Sequence, residues 1–298
     1  MKDKMTYVTA MYYAPPTEKI GGRGYSFKHY EAPFYNIIVQ DKPIIIYTHE
    51  KLDYIKEINS FFKRYNFKKY KIIDRELEDY EYSEKIMTLK SNDNLNDRNY
   101  HICLQKLRWL NEQVESNPFN SKKFFWVDAG LYHHGLFPDS LGGMERYTNI
   151  NKSRFYPKSS STLFTPALSE KLFKQAGDKL FCIKHTEMTL GNQIYKLANL
   201  ENYNVNYIVG GLFGGKKNVI NFLNIEFDKY LKLCLDNDML HLEEPILSVL
   251  SSLYKDRFDY KTFNKWHHDM PDPETDSFHG SERNSFTEDD VCFYKLFL

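Results

Sequence analysis

Apolar positions along this chain fall into short continuous runs separated by longer stretches with helical spacing, the pattern of strands alternating with helices. The runs MTYVTAMY (5–12) and KPIIIYT (42–48) are short and strand-like, and YSFKHYEAPFYNIIVQ (25–40) between them has helical spacing interrupted by Pro33. This opening predicts a βαβ unit. KLDYIKEINSFFKRY (51–65) sets Leu52, Ile55, Ile58, Phe61, Phe62 and Tyr65 on one helical face, and KKYKIID (68–74) follows as a strand. After a polar loop, KSNDNLNDRN (90–99 in round terms), a helix is predicted from about Tyr100 to Val114. It delivers the chain to KKFFWVDAGL (122–131), whose four consecutive apolar residues from Phe124 to Val127 predict a buried strand. Further on, Asn206 to Val209 predict a strand, a glycine-rich turn follows, and an amphipathic helix runs from about Lys217 to Leu235. In DNDMLHLEEPILSVL (236–250), Pro245 suits the first helical position and Glu244 the cap before it.

Composition narrows the class. The 298 residues suffice for one large α/β domain with an appended C-terminal segment. Forty basic residues balance forty acidic ones, so no global field attracts nucleic acid, and nucleic acid is excluded as the expected partner. The four cysteines, Cys103, Cys182, Cys234 and Cys292, form no C-x-x-C pair, which points away from a zinc ribbon and toward a reducing, cytoplasmic setting. The N-terminus carries no long apolar segment, and no run approaches the roughly 18 apolar residues of a membrane span, so only peripheral membrane contact is left open. The 23 Tyr and 22 Phe would suit a sugar-facing surface, but the simpler reading is a compositional bias.

Three places carry candidate chemistry. Asp128 stands at the carboxyl end of the Phe124–Val127 run with Ala129 and Gly130 behind it, where open α/β sheets bind ligands and where a carboxylate can hold a divalent cation. Capping of the next turn would explain the same residue. In YIVGGLFGGKKNVINF (207–222), Gly210, Gly215 and Lys216 match G-x-x-x-x-G-K, but Lys217 replaces the Ser or Thr that a P-loop needs for Mg²⁺. The paired glycines 210/211 and 214/215 therefore read as close approach to a bulky ligand, as tight turns with positive φ, or as both. Glu243 and Glu244 are either helix-start residues or a carboxylate pair. Held at a helix N-terminus, such a group is expected to stay ionised, which favours a base, a nucleophile or an oxocarbenium stabiliser over a general acid.

The blocks YVTAMYYAPPTEKIGGRGYSFKHY, NSKKFFWVDAGLYHHGLFP and YIVGGLFGGKKNVINFL with HLEEPILSVL together resemble the HtrL/YibB (WlaTC-type) glycosyltransferases, in matching order over residues 6 to about 254. The later blocks are more loosely similar to blood-group-type glycosyltransferases. The resemblance implies a GT-A fold, a Rossmann-like mixed central sheet flanked by helices, and transfer of a sugar from a nucleotide-diphospho-sugar, a UDP-sugar by preference, to a glycan or glycolipid. It places Thr9, Ala10, Tyr12, Arg23, Val127, Asp128, Ala129 and Gly130 on the nucleotide side, with Arg23 toward the diphosphate unless it is an exposed loop charge; Lys106, inside the helix before the Asp128 strand, reads either as a further contact to the donor phosphates or as a solvated helix lysine. Glu244 or Glu243 becomes the catalytic carboxylate. Gly210, Gly211, Gly214 and Gly215 become contacts to the donor sugar or the acceptor; His133 and His134 follow the Asp128 loop closely enough to reach the same cleft as acceptor-side contacts, and Trp266 reads as a sugar platform or as a buried anchor for the tail. Mn²⁺ or Mg²⁺ is implied at Asp128, with a histidine among His267, His268 and His279 as a further ligand. The metal motif is incomplete, because Gly130 stands where the family pattern has its second carboxylate.

The resulting expectation is a GT-A-like catalytic domain over 1–254, with a nucleotide half of about 1–131 and an acceptor half of about 132–254, and a flanking segment over 255–298. Two other readings stay open: a carbohydrate- or nucleotide-binding protein that has lost catalysis, and a P-loop-like phosphotransferase.

Overall fold

The computed structural model describes residues 4–12, 34, 37–38, 41–49, 54–89, 97–129, 177–185, 193–200, 205, 207–263, 271–272 and 277–278. In chain order the elements are β1 (Met5–Ala10), β2 (Ile44–Thr48), α1 (Tyr54–Arg64), β3 (Tyr70–Asp74), α2 (Ser83–Leu89), α3 (Asp97–Ser116), β4 (Lys123–Val127), β5 (Leu180–His185), α4 (Gln193–Leu197), β6 (Tyr207–Lys216), α5 (Lys217–Asp236), α6 (Glu243–Leu253), β7 (Phe258–Phe263) and the short pair β8 (Pro271–Asp272) and β9 (Ser277–Phe278). The strands β1 to β7 form one seven-stranded mixed sheet in the order β3-β2-β1-β4-β6-β5-β7. The expected class, a mixed central sheet flanked by helices, is the class found.

Neighbours β3, β2, β1 and β4 are all parallel, with Val8 opposite both Ile45 and Trp126. Parallel strands buried on both faces need continuous apolar runs, and IIIYT and KFFWV supply them. β6 then runs antiparallel to both β4 and β5, and β7 closes the sheet parallel to β5. This reversal matters for the site: the carboxyl end of β4 lies beside the middle of β6, with Val127 opposite Leu212, and the amino-terminal part of β6 runs on past it. The sheet also continues past residue 254, since β7 is its edge strand.

Helices α3, α5 and α6 pack on one another against β1, β4 and β6. On α5, Val219, Ile220, Leu223, Phe227, Leu231 and Cys234 recur at helical spacing and are all buried, so the face seen in the sequence is the face used. The aromatic centre of the core is a stack: Trp109 of α3 lies 4.8 Å from Tyr47 of β2, 6.0 Å from Tyr12 and 6.1 Å from Trp126 of β4. Helix α3 starts at Asp97, inside the stretch expected to be loop.

Strand β6 is the largest departure from expectation. The segment around Gly210, Gly211, Gly214 and Gly215 is strand through Lys216, with a register shift against β5 from Cys182–Phe213 to Ile183–Val209 that skips residues 210–212, and Gly210, Gly214 and Gly215 all avoid positive φ. A Cβ on Gly210 would run into the Glu243 side chain, one on Gly214 into the Phe124 carbonyl, and one on Gly215 would sit 2.9 Å from Val219 Cγ1. Their smallness lets neighbouring elements close on the strand, which corrects the tight-turn reading.

Candidate functional site

The site forms where β4 ends, β6 begins and α6 starts. Asp128 follows the last residue of β4, and its N–H donates to the Gly211 carbonyl at 2.9 Å, which ties it to β6. Two residues earlier, and so on the same side of the strand, Trp126 donates its indole N–H to Asp128 Oδ1 at 2.6 Å. Asp128 keeps 36% of its side chain exposed, whereas Trp126 is buried. The tryptophan thus anchors a half-open carboxylate to the aromatic core.

Lys106, from the middle of α3, reaches the same point. Its ammonium lies 2.7 Å from Glu243 Oε1 and 3.0 Å from Asp128 Oδ1, and donates to the Gly210 carbonyl at 3.2 Å. It also lies 5.7 Å from the centre of the Trp126 ring. Lysine and Glu243 are both nearly inaccessible, at 4% and 3% exposure. Burial alone would lower the Lys106 pKa, but Asp128 and Glu243 more than reverse this and hold the ammonium well above its usual range. The Cys103 thiol lies against the same group, and burial followed by Glu243 pushes its pKa up, which makes it inert. Lys106 therefore joins two acidic positions that lie 115 residues apart in sequence, Asp128 and Glu243.

Glu244 points to a different set of partners. Its Oε1 accepts the Gly210 N–H at 2.8 Å, and its Oε2 accepts the Tyr207 hydroxyl. Ser248 locks the backbone beneath it, accepting from the Ile208 N–H at 2.9 Å and donating to the Glu244 carbonyl at 2.7 Å. Helix α6 begins at Glu243 with Leu242 as its cap, so Glu244 and Pro245 are second and third in the helix rather than cap and first residue. Pro245 fits there because a first-turn N–H has no helical partner to lose.

The expectation that Glu244 stays ionised is corrected. Burial, and then the Glu243 carboxylate beside it, raise its pKa from the usual 4.5 to about 7, although Gly210, Tyr207 and Lys106 pull the other way. A helix terminus contributes about 0.3–1 kcal/mol, which loses to the removal of a carboxylate from water. Burial and Glu244 together push the Tyr207 hydroxyl far above the phenol range, so it serves as a donor.

The remaining sequence candidates divide clearly. Thr9, Ala10, Val127 and Ala129 line the carboxyl ends of β1 and β4, and Thr9, Val127 and Ala129 are buried. Tyr12 belongs to the core: its ring stacks on Trp109 and its hydroxyl donates to the Arg75 carbonyl at 3.0 Å. Arg23, Gly130, His133, His134, Trp266, His267, His268 and His279 lie outside the described residues. The P-loop reading fails on geometry, since its glycines are strand and Lys216 pairs at the surface with Asp178 at 3.0 Å. Sequence reasoning missed Trp126, Tyr207 and Ser248. Only Trp126 carried a signal, its two-residue spacing from Asp128 along a strand.

For Mn²⁺ or Mg²⁺ at Asp128, the described residues do not fit. They contain no group of three His, Cys, Asp or Glu able to hold an ion, and the Asp128 carboxylate already faces an ammonium and accepts an indole N–H on Oδ1. Glu243 Oε2 is buried without a hydrogen-bond partner, a lone acceptor rather than a ligand shell. Among the described residues no helix is long and apolar enough to cross a membrane.

No family model and no curated protein matches this chain. Among solved structures it is similar to the galactosyltransferase LgtC in complex with donor and acceptor sugar analogs, with a TM-score of 0.45 and 10% identity over 86% of this chain and 72% of that one. It is similar to 4-diphosphocytidyl-2C-methyl-D-erythritol synthase from Anaerococcus prevotii, with a TM-score of 0.39 and 12% identity over 99% and 95%. It is also similar to mouse xyloside xylosyltransferase 1, with a TM-score of 0.45 and 6% identity over 90% and 89%. At these scores the likeness assigns no activity, and the HtrL/YibB resemblance rests on the sequence blocks alone.

Proposed function

We propose that the chain is a glycosyltransferase that moves a sugar from a nucleotide-diphospho-sugar, a UDP-sugar by preference, to a hydroxyl of a glycan or glycolipid. The observation that carries this reading is the meeting of Asp128, Lys106, Glu243 and Glu244 at the carboxyl edge of the parallel strands, the edge where α/β sheets receive nucleotides. The sequence blocks that resemble HtrL/YibB glycosyltransferases contribute three of those four residues.

In the reaction the bond between the anomeric carbon and the diphosphate oxygen breaks, a bond to the acceptor oxygen forms, and the acceptor proton leaves. Glu244 is the group suited to the reacting centre. Its carboxyl is fixed by Gly210 and Tyr207, and its pKa of about 7 lets it take a proton or face positive charge near neutrality. Asp128, half exposed, is suited to accept donor hydroxyls. Lys106, buried with Glu243, pairs with Asp128 and holds it in place.

The test is nucleotide release from UDP-, GDP- and CMP-sugars by the full chain, with Glu244→Gln and Asp128→Ala in parallel. Release of UDP from one sugar, lost in Glu244→Gln and rising with pH through about 7, is the expected result. UDP binding by calorimetry without turnover in the presence of acceptor glycans would make the chain a binding protein. Absence of UDP binding would remove the reading altogether.

A further inference from the structure

The Lys106 ammonium is enclosed by oxygen. Glu243 Oε1 lies at 2.7 Å, Asp128 Oδ1 at 3.0 Å, and Asp128 Oδ2 and the Gly210 carbonyl each at 3.2 Å. Two carboxylates and a backbone carbonyl converging on one buried point are the donor set that hard divalent cations choose. Here the point is filled by a side chain from the middle of α3, buried to the same degree as its partner Glu243. A buried Glu243 carboxylate beside the partly exposed Asp128 demands a countercharge, and a lysine tethered to a packed helix supplies one that cannot diffuse away. The Trp126 ring centre lies 5.7 Å from the ammonium, and Gly210 is tolerated only as glycine because Glu243 occupies the space of its side chain.

We propose that Lys106 is the resident cation of this site, occupying the oxygen cage of Asp128, Glu243 and Gly210 in place of a divalent metal, so that these carboxylates work on their ligand without one. The role of these carboxylates toward a ligand rests on the glycosyltransferase reading, whereas the occupancy of the cage does not. A resident ammonium also accounts for the incomplete metal motif: with Gly130 in place of the second carboxylate and Lys106 between Asp128 and Glu243, the charge balance is met by the chain itself.

The experiment titrates the full chain with Mn²⁺ alone, without nucleotide, and follows the free Mn²⁺ signal by electron paramagnetic resonance. The chains compared are wild type, Asp128→Asn, Lys106→Ala and Lys106→Ala with Asp128→Asn. The expected result is no saturable site in wild type up to roughly 1 mM, and one site in Lys106→Ala at least about tenfold tighter than that limit, abolished by adding Asp128→Asn. A single Mn²⁺ bound by wild type and lost in Asp128→Asn would overturn the proposal. A folded Lys106→Ala chain that gains no site would overturn it as well. Should Lys106→Ala not fold by circular dichroism, the wild-type and Asp128→Asn titrations decide alone. Because no nucleotide or sugar is present, failure here leaves the transferase reading standing, and failure of that reading leaves this result intact.

Discussion

At the scale of single residues, Glu244 and Lys106 make opposite predictions although they stand in one acidic cluster. Between pH 4.5 and about 7 the folded chain keeps a proton on Glu244 that the unfolded chain has released. The raised pKa therefore costs stability, and the cost grows as pH rises across that window and stays constant above it. Glu244→Gln keeps the shape and removes the charge. It should raise stability at pH 8 by roughly 1–3 kcal/mol, with the gain shrinking to nothing near pH 4.5, as read from urea denaturation at several pH values. Lys106→Met should do the reverse. It leaves Glu243 and Asp128 without their countercharge and should cost about 3–5 kcal/mol at neutral pH, most of it recovered when Asp128→Asn and Glu243→Gln are added. If the triple variant is no more stable than Lys106→Met, packing rather than charge holds the lysine there. Neither behaviour could be read from the chain, because helix-start chemistry is local and predicts an ionised Glu244, while the burial that reverses it comes from β6 and from α3. Lys106 was legible as a lysine near the Asp128 strand, but its 137-residue reach to Glu243 left no local pattern.

At the scale of elements, the glycines of β6 show how a strand can look like a loop. Gly-Gly-x-x-Gly-Gly is a turn signal when backbone freedom is the only reason for glycine. In β6 the reason is clearance, since α6 closes over Gly210, β4 over Gly214, and the start of α5 over Gly215. Clearance is a tertiary property, so spacing alone could not separate the two readings. The two reasons differ in what relieves them. Gly214→Ala meets backbone of β4, which cannot move without breaking the ladder, and should cost about 1–3 kcal/mol or more. Gly215→Ala meets a methyl of Val219 at 2.9 Å and the Lys179 carbonyl at 3.0 Å, both looser than the contacts at Gly214, and should cost less, with part of the loss restored by Val219→Ala. Thermal melts of the four chains measure this ordering. Equal costs at both positions would mean that conformational freedom, not clearance, selects glycine there. Strands β2 and β4, by contrast, were plain in the sequence, because burial on both faces requires apolar residues at every position.

At the scale of the whole molecule, the sheet binds the far end of the described chain to its functional edge. β4 carries Asp128, β6 carries Gly210 and Tyr207, β5 supports β6, and β7 covers β5. The expected boundary at residue 254 falls between α6 and β7, where the family resemblance thins, yet the fold does not stop there. Phe258 is buried, six residues of β7 pair with β5 from Leu180–Phe258 to His185–Phe263, and the Tyr260 hydroxyl donates to the Ser251 carbonyl of α6 at 3.1 Å. A chain ended after Tyr254 would leave the β5 edge unpaired, with its row of N–H and C=O groups open to other chains. It would also remove the hydroxyl that steadies the helix bearing Glu243 and Glu244. Such a chain should melt well below the full-length protein and scatter light on heating, and its nucleotide-release activity should fall with its folded fraction. The point substitution Phe258→Ala should reproduce part of the effect, by about 3–5 kcal/mol, without shortening the chain. Equal melting temperatures for the chain ended at 254 and the full chain would place the boundary where the sequence resemblance put it. A shared loss would instead make β7 part of the folding unit, because the acidic site at one sheet edge is only as firm as the strands stacked beside it.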